Sequence, residues 1–254
     1  MLIANFSRMS GKKTSPHVSP DGKGFLPGLS IDVVIFGFHQ NHLKILLLKY
    51  KNTDLFALPG GFIREEENLN DAAKRTLHDR TGLKDIYLEQ FYTFGNRDRQ
   101  NKNTLRAIMQ GNNLEPFADH WLLQRFVSVG YYALVDFTKV IPIPDALSDS
   151  CEWYELSDLP PLMLDHRQIV QKALETLRAN LDRKLIGFNL LPETFTLTEL
   201  QSLYETIMGQ PLRRSSFQRK MLSLGILERV AKKFTGGAHK APYLYRFVTE
   251  KQYL

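Results

Sequence analysis

The chain has 254 residues, more than the roughly 100 to 150 of a usual domain, so two domains are the first expectation. An apolar fraction of 43% with 24% charged residues suits a packed globular protein, and no apolar run approaches the roughly 20 residues that cross a bilayer. The net charge of +6 is concentrated at one end: from Glu193 to Leu254, ten Lys and Arg face five acidic residues, which favours a polyanionic partner. The N-terminus shows no basic region leading into an apolar stretch, and the one cysteine, Cys151, has no intrachain partner. The expectation is a reducing, cytoplasmic setting, with Cys151 a packed small residue rather than a nucleophile.

Residues 1–29 are rich in Ser, Lys, Gly and Pro without periodicity and read as a flexible tail. Residues 31–38 and 43–49 are β-branched and aliphatic, and His39-Gln40-Asn41-His42 between them suits a hairpin. After Leu58-Pro59-Gly60-Gly61, residues 70–81 place Ala73 and Leu77 at helical spacing, and Gly82 supplies the stop. Residues 86–94 and 126–137 read as strands. Residues 95–125 between them are long for a loop and predict a functional insertion or a partly ordered lid. A short strand over 151–156 and a long helix over 165–184 complete a first unit spanning 30–186.

A second unit, 187–254, opens at Gly187-Phe188-Asn189-Leu190-Leu191-Pro192. Thr196-Leu197-Thr198-Glu199 is a capping box for a helix running to Met208, ended by Gly209 and Pro211. A second helix over 215–224 aligns Phe217, Met221 and Leu224 on a core-facing stripe, and Gly225 stops it. Residues 226–230 and 243–248 form a hairpin whose connection is basic and glycine-rich, with Lys232, Lys233, His239 and Lys240. Helix, turn, helix and basic hairpin is a winged-helix order. The second helix opens with Arg213 and Arg214, and carries Ser215, Ser216, Gln218, Arg219 and Lys220 away from the apolar stripe. Arg pairs with guanine edges, Gln with adenine, and Ser or Lys with phosphate. With His239 and Lys240 on the wing, these residues predict a surface for duplex DNA; no interleaved aromatic platform suggests single-stranded RNA.

The first unit carries Gly61, then Glu67 after five residues, then Arg75 after seven, followed by Leu77, Gly82 and Leu83. This spacing resembles the Nudix box. In that family the helix bears carboxylates at the positions of Thr76, Asp79 and Arg80, so two of the three are missing here. Mg²⁺ is held through carboxylates and substrate phosphates, and Arg80 sets a fixed cation among the expected ligands. The reading is therefore no catalytic residue, no metal site and no resident cofactor. Gly61, Glu67 and Arg75 then hold the loop and helix through a turn and a buried ion pair. The acidic residues that remain, Asp79, Glu65, Glu66 and Glu67, support the alternative of a nucleoside-diphosphate hydrolase with an accessory C-terminal module.

Both halves together resemble the Nudix-related transcriptional regulators, most specifically in Asp71-Ala72-Ala73-Lys74-Arg75 and in residues 186–192 and 195–205. The resemblance implies an α+β chain: a Nudix α/β/α sandwich followed by a C-terminal winged helix-turn-helix domain. It also implies a homodimeric repressor of a metabolic operon on a palindromic operator, released by an effector. Two effector classes occur in that family, L-arabinose and ADP-ribose, and the linker and first winged-helix segment are more similar to the arabinose branch. Gly60, Gly61 and Arg64, rimmed by Arg97, Asp98 and His166, are the expected effector-binding residues.

Overall fold

The computed structural model describes residues 22–84, 86–117, 119–181, 190–233 and 241–248. Its centre is β1 (Phe25–His39), a 15-residue strand whose Ile31, Val33, Val34, Ile35 and Phe36 are wholly buried. One end of β1 pairs antiparallel with β4 (Gly60–Arg64), and the other with β2 (His42–Tyr50) through a hairpin with Gln40 and Asn41 at positive φ. On its other side β1 runs parallel to β6 (Val127–Val135), which pairs antiparallel with β5 (Tyr87–Phe94). β2 also carries β3 (Phe56–Ala57) and β7 (Ser148–Glu155), giving a seven-stranded mixed sheet.

Side-chain alternation divides β1 between two cores, as a strand buried on both faces requires. Ile31, Val33 and Ile35 pack with Ala72, Ala73 and Leu77 of α1 (Leu69–Thr81). Val34 and Phe36 pack with Ile169, Val170, Ala173 and Leu177 of α3 (His166–Asn180). The sheet is thus sandwiched between helices, as expected. Helix α1 ends where the sequence predicts, at Gly82 with φ of 71° and its N–H on the His78 carbonyl.

The second unit places α4 (Leu197–Met208) and α5 (Arg214–Ser223) against a small sheet ordered β8 (Phe195–Thr196), β10 (Tyr243–Phe247), β9 (Leu227–Lys232). The capping box is complete: Thr196 Oγ1 accepts from the Glu199 N–H at 3.2 Å, and the Thr196 N–H donates to Glu199 Oε2 at 2.6 Å. Such a cap satisfies helix donors that have no partner within the helix. Leu190, Phe195, Leu200, Phe217 and Met221 join the same apolar cluster as α3, so the core continues from one unit into the other.

Two expectations need correction, and a third gains detail. The strand begins at Phe25, facing Arg64 of β4, so residues 25–29 belong to the sheet and not to a tail. Residues 95–125, expected as a functional insertion or a partly ordered lid, carry a helix that the sequence reading did not place, α2 (Lys102–Gly111), capped by the Asn101 side chain, which accepts from the N–H groups of Asn103 and Thr104. The same segment drives Trp121 against Phe62, 4.5 Å between ring centroids, and stacks it on Phe25 at 5.8 Å. Leu224 is exposed, because it sits at the end of α5 where the chain turns through Gly225; Phe217 and Met221 alone of the predicted stripe are buried.

Candidate effector and DNA sites

The turn after β4 is fastened by Arg75, whose Nε donates to Glu67 Oε1 at 2.7 Å and whose Nη2 donates to Oε2 at 2.8 Å and to the Phe62 carbonyl at 3.0 Å. Such a fork is the strong form of an ion pair. The Arg75 hydrogen bonds hold the Glu67 carboxyl below its ordinary value, against the opposing effect of partial burial. Glu67 Oε2 also accepts from the Arg64 N–H. Glu67 therefore serves the turn, as the sequence predicts.

Of the three degenerate box positions, Thr76 is buried beneath Gly61, where a Cβ would come within 3.2 Å of its hydroxyl. Asp79 is exposed beside His78. Arg80 turns to Asp145 at 3.3 Å, under a segment whose Ile143 N–H donates to the Arg80 carbonyl. Among the described residues no group of three or more His, Cys, Asp or Glu is placed to hold a metal ion. This donor set does not fit the divalent ion of Nudix hydrolases, which needs converging carboxylates.

A second cluster lies under Gly60. A Cβ on Gly60 would stand 2.8 Å from Asp32 Oδ1, so glycine is what lets β4 lie against this buried carboxylate. Asp32 accepts from Ser128 Oγ at 2.5 Å and lies 3.6 Å from both Arg99 Nη2 and His166 Nε2. Arg99 donates from Nε and Nη2 to the two Asp165 oxygens at 2.9 and 3.0 Å, and from Nη1 to the Phe126 carbonyl. His166 Nδ1 accepts from the Leu58 N–H at 3.0 Å. Asp32, Arg99, Asp165 and His166 thus tie β1, the insertion and the start of α3 into one buried polar network.

Beside the network opens a cleft of about 320 Å³, within the range of small-molecule sites. Asn96, Asp98, Asn101, Thr104 and Gln168 line it, with Arg99 and Asp165 among its walls. The predicted effector residues do not form one pocket. Gly60 and His166 meet at Asp32; Asp98 enters the cleft; Arg97, 89% exposed, and Arg64 point to solvent outside its lining. Sequence reasoning missed Asp32, Arg99 and Asp165, although a charged residue inside the run 31–38 was a signal, since such a charge is buried only when paired.

On the winged helix, Arg213, Arg214, Ser215, Ser216, Arg219 and Lys220 are exposed on the first two turns of α5 or at its cap, and Gln218 is half-buried. His239 and Lys240, expected on the wing, lie outside the described residues.

A Nudix domain continued by a winged helix is the class that this fold and site define. Residues 26–173 match the NUDIX domain, and residues 187–247 match the NrtR DNA-binding winged helix domain. The chain is 32% identical over 231 residues to the "ADPR responsive transcriptional repressor NtrR" of Acinetobacter baylyi, covering 88% of this chain and 83% of that one. It is also similar to Shewanella oneidensis NrtR solved with a 27mer DNA, at 30% identity and a TM-score of 0.68, covering 87% of this chain and 93% of the other. A more distant relative is the ADP-ribose pyrophosphatase of Methanocaldococcus jannaschii, 26% identical over 148 residues, 57% of this chain and 72% of the relative. The chain belongs to the NrtR family of Nudix-related, DNA-binding transcriptional regulators. No helix among the described residues is long and apolar enough to cross a membrane.

Proposed function

We propose that this chain is a repressor whose first unit, from β1 through α3, binds an ADP-ribose-type nucleotide sugar without cleaving it, and whose winged helix binds duplex DNA. The observation that carries this reading is the fate of the box: Arg75 and Glu67 keep the scaffold, while Thr76, Asp79 and Arg80 offer no converging ligands. The Acinetobacter relative, named as ADPR responsive over most of its length, favours the nucleotide sugar. Arg213, Arg214, Ser215, Ser216, Gln218, Arg219 and Lys220, with His239 and Lys240, are the DNA-contact set. A homodimer fits this output, because a two-fold protein reads a two-fold operator with half-sites about 34 Å apart or a multiple.

One observation favours a second effector, a free pentose such as arabinose. The cleft is lined by carboxamides, a hydroxyl and carboxylates, and the Arg99 guanidinium is already committed to Asp165. Such a lining suits sugar hydroxyls better than a diphosphate. Titration calorimetry with ADP-ribose and with arabinose decides between them: heat from ADP-ribose supports the first reading, and heat from arabinose alone replaces it. For the output, a labelled duplex from the upstream region should be bound with site preference and with affinity falling steeply in salt. Binding indifferent to sequence would overturn the regulatory reading. Size-exclusion chromatography with light scattering tests the dimer.

A further inference from the structure

Helix α3 belongs to the effector unit, yet its last turn reaches the surface of the winged helix. A second cleft, of about 260 Å³, lies at this junction. Its rim carries Arg178 from α3 together with Arg213, Ser216 and Lys220 from α5 and its cap, over a floor that includes Tyr204 and Phe217. Among the described residues, the cleft is lined by three cations, Arg178, Arg213 and Lys220, and by no carboxylate. Ser216 and Lys220 are four residues apart and so share one flank of α5, beside the face that presents Arg219. Two hydrogen bonds among the described residues hold the junction: Tyr204 Oη donates to the Leu181 carbonyl at 3.2 Å, and Arg178 Nε donates to the Ile207 carbonyl at 2.7 Å. The second bond uses one of five guanidinium N–H donors and aligns an exposed side chain with the rim.

We propose that Arg178 is a DNA-backbone contact, joining Arg213, Ser216 and Lys220 around a duplex phosphate at the edge of the groove that α5 enters. The proposal rests on the reading of α5 as the recognition helix. Phosphate contacts from residues flanking such a helix set its register, and a rim that brings Arg178, Arg213 and Lys220 together matches that partner. The effector unit thereby supplies a cation to the DNA interface. The other end of α3 carries Gln168, and next to it Asp165, into the 320 Å³ cleft, so one 15-residue helix touches both sites. A ligand-linked shift of α3 against the winged helix would alter this phosphate contact directly.

The test is fluorescence anisotropy of the full chain with a mixed-sequence 30-base-pair duplex, between about 50 and 200 mM salt, since a phosphate contact needs no particular sequence. The slope of log affinity against log salt should shrink by about 0.9 in Arg178→Gln and stay at the wild-type value in Arg178→Lys, which keeps the charge. A wild-type slope in Arg178→Gln overturns the proposal. So does a reduced slope in Arg178→Lys, which would assign Arg178 to the Ile207 bond alone; thermal melts of both variants confirm that they are folded. If the wild type binds no duplex at all, the DNA reading itself fails, and the Arg178 proposal with it.

Discussion

Arg75 and Glu67 are joined by a two-pronged ion pair, at 2.7 and 2.8 Å, in a domain where Thr76 and Arg80 stand at two of the three helix positions that bear carboxylates in the same motif. The pair is mostly buried, and its geometry assigns it to holding the turn after β4. Arg75→Met should therefore destabilise the chain by about 1.5 to 3 kcal/mol, the usual worth of hydrogen bonds to charged groups, as read from urea unfolding.

The same pair predicts a pH dependence. The folded Glu67 carboxyl titrates below its ordinary value of 4.5, principally through the Arg75 hydrogen bonds. Its stabilisation is thus fully present above that value and is lost as the pH falls through the folded pKa. Comparing wild type with Glu67→Gln, the gap in unfolding free energy should be constant near neutral pH and close as the pH drops below about 4.5.

Arg99 is nearly inaccessible and faces two buried carboxylates, Asp165 and Asp32. Removing one partner of a buried ionic group leaves the other uncompensated, which typically costs about 3 to 5 kcal/mol. Arg99→Met should lower the melting temperature by several degrees, and more than Arg97→Met, whose side chain is exposed. Equal melts for the two variants would remove the network's structural role.

Restoring acids to the box should not restore an enzyme. In Thr76→Glu a carboxylate enters the buried space beneath Gly61, and Arg80→Glu removes the partner of Asp145 and sets a like charge in its place. Both variants should lose stability. Neither should hydrolyse ADP-ribose with Mg²⁺ faster than about 1 s⁻¹, the low end of ordinary enzymes. Turnover above that rate in the wild type would establish the hydrolase instead.

Burial pushes the Cys151 thiol up to about 12, with the nearby Arg80 only partly offsetting it. At pH 8 the thiol is therefore neutral and covered, and iodoacetamide should modify the native chain far more slowly than the urea-unfolded chain. Equal rates would contradict a packed role.

Arg219 is exposed on α5, opposite the buried Phe217 and Met221. Arg219→Ala should cost about 1 to 3 kcal/mol on the preferred duplex and much less on a scrambled one, measured by competition titration. An equal loss on both would make it a phosphate contact.

What the sequence determined by itself was local in origin. The apolar runs around Val34 and Leu47, the capping box at Thr196, the helix stop at Gly82 and the Gly61, Glu67, Arg75 spacing each act through neighbours within about a dozen residues, so pattern alone places them. The helix α2 was within reach too, since Asn101 followed by Leu105, Ile108 and Met109 is a cap before helical spacing. Tertiary structure decided the rest. Asp32, Arg99 and Asp165 stand far apart in the chain, and only the pairing of β1 with β4 and β6 and the packing of α3 on the sheet bring their charges together. Arg178 and Lys220 likewise share a rim only because the apolar core runs unbroken from α3 into the winged helix. Burial and charge pairing between distant segments leave no periodicity to read, because they are set by which surfaces meet and not by the order of residues.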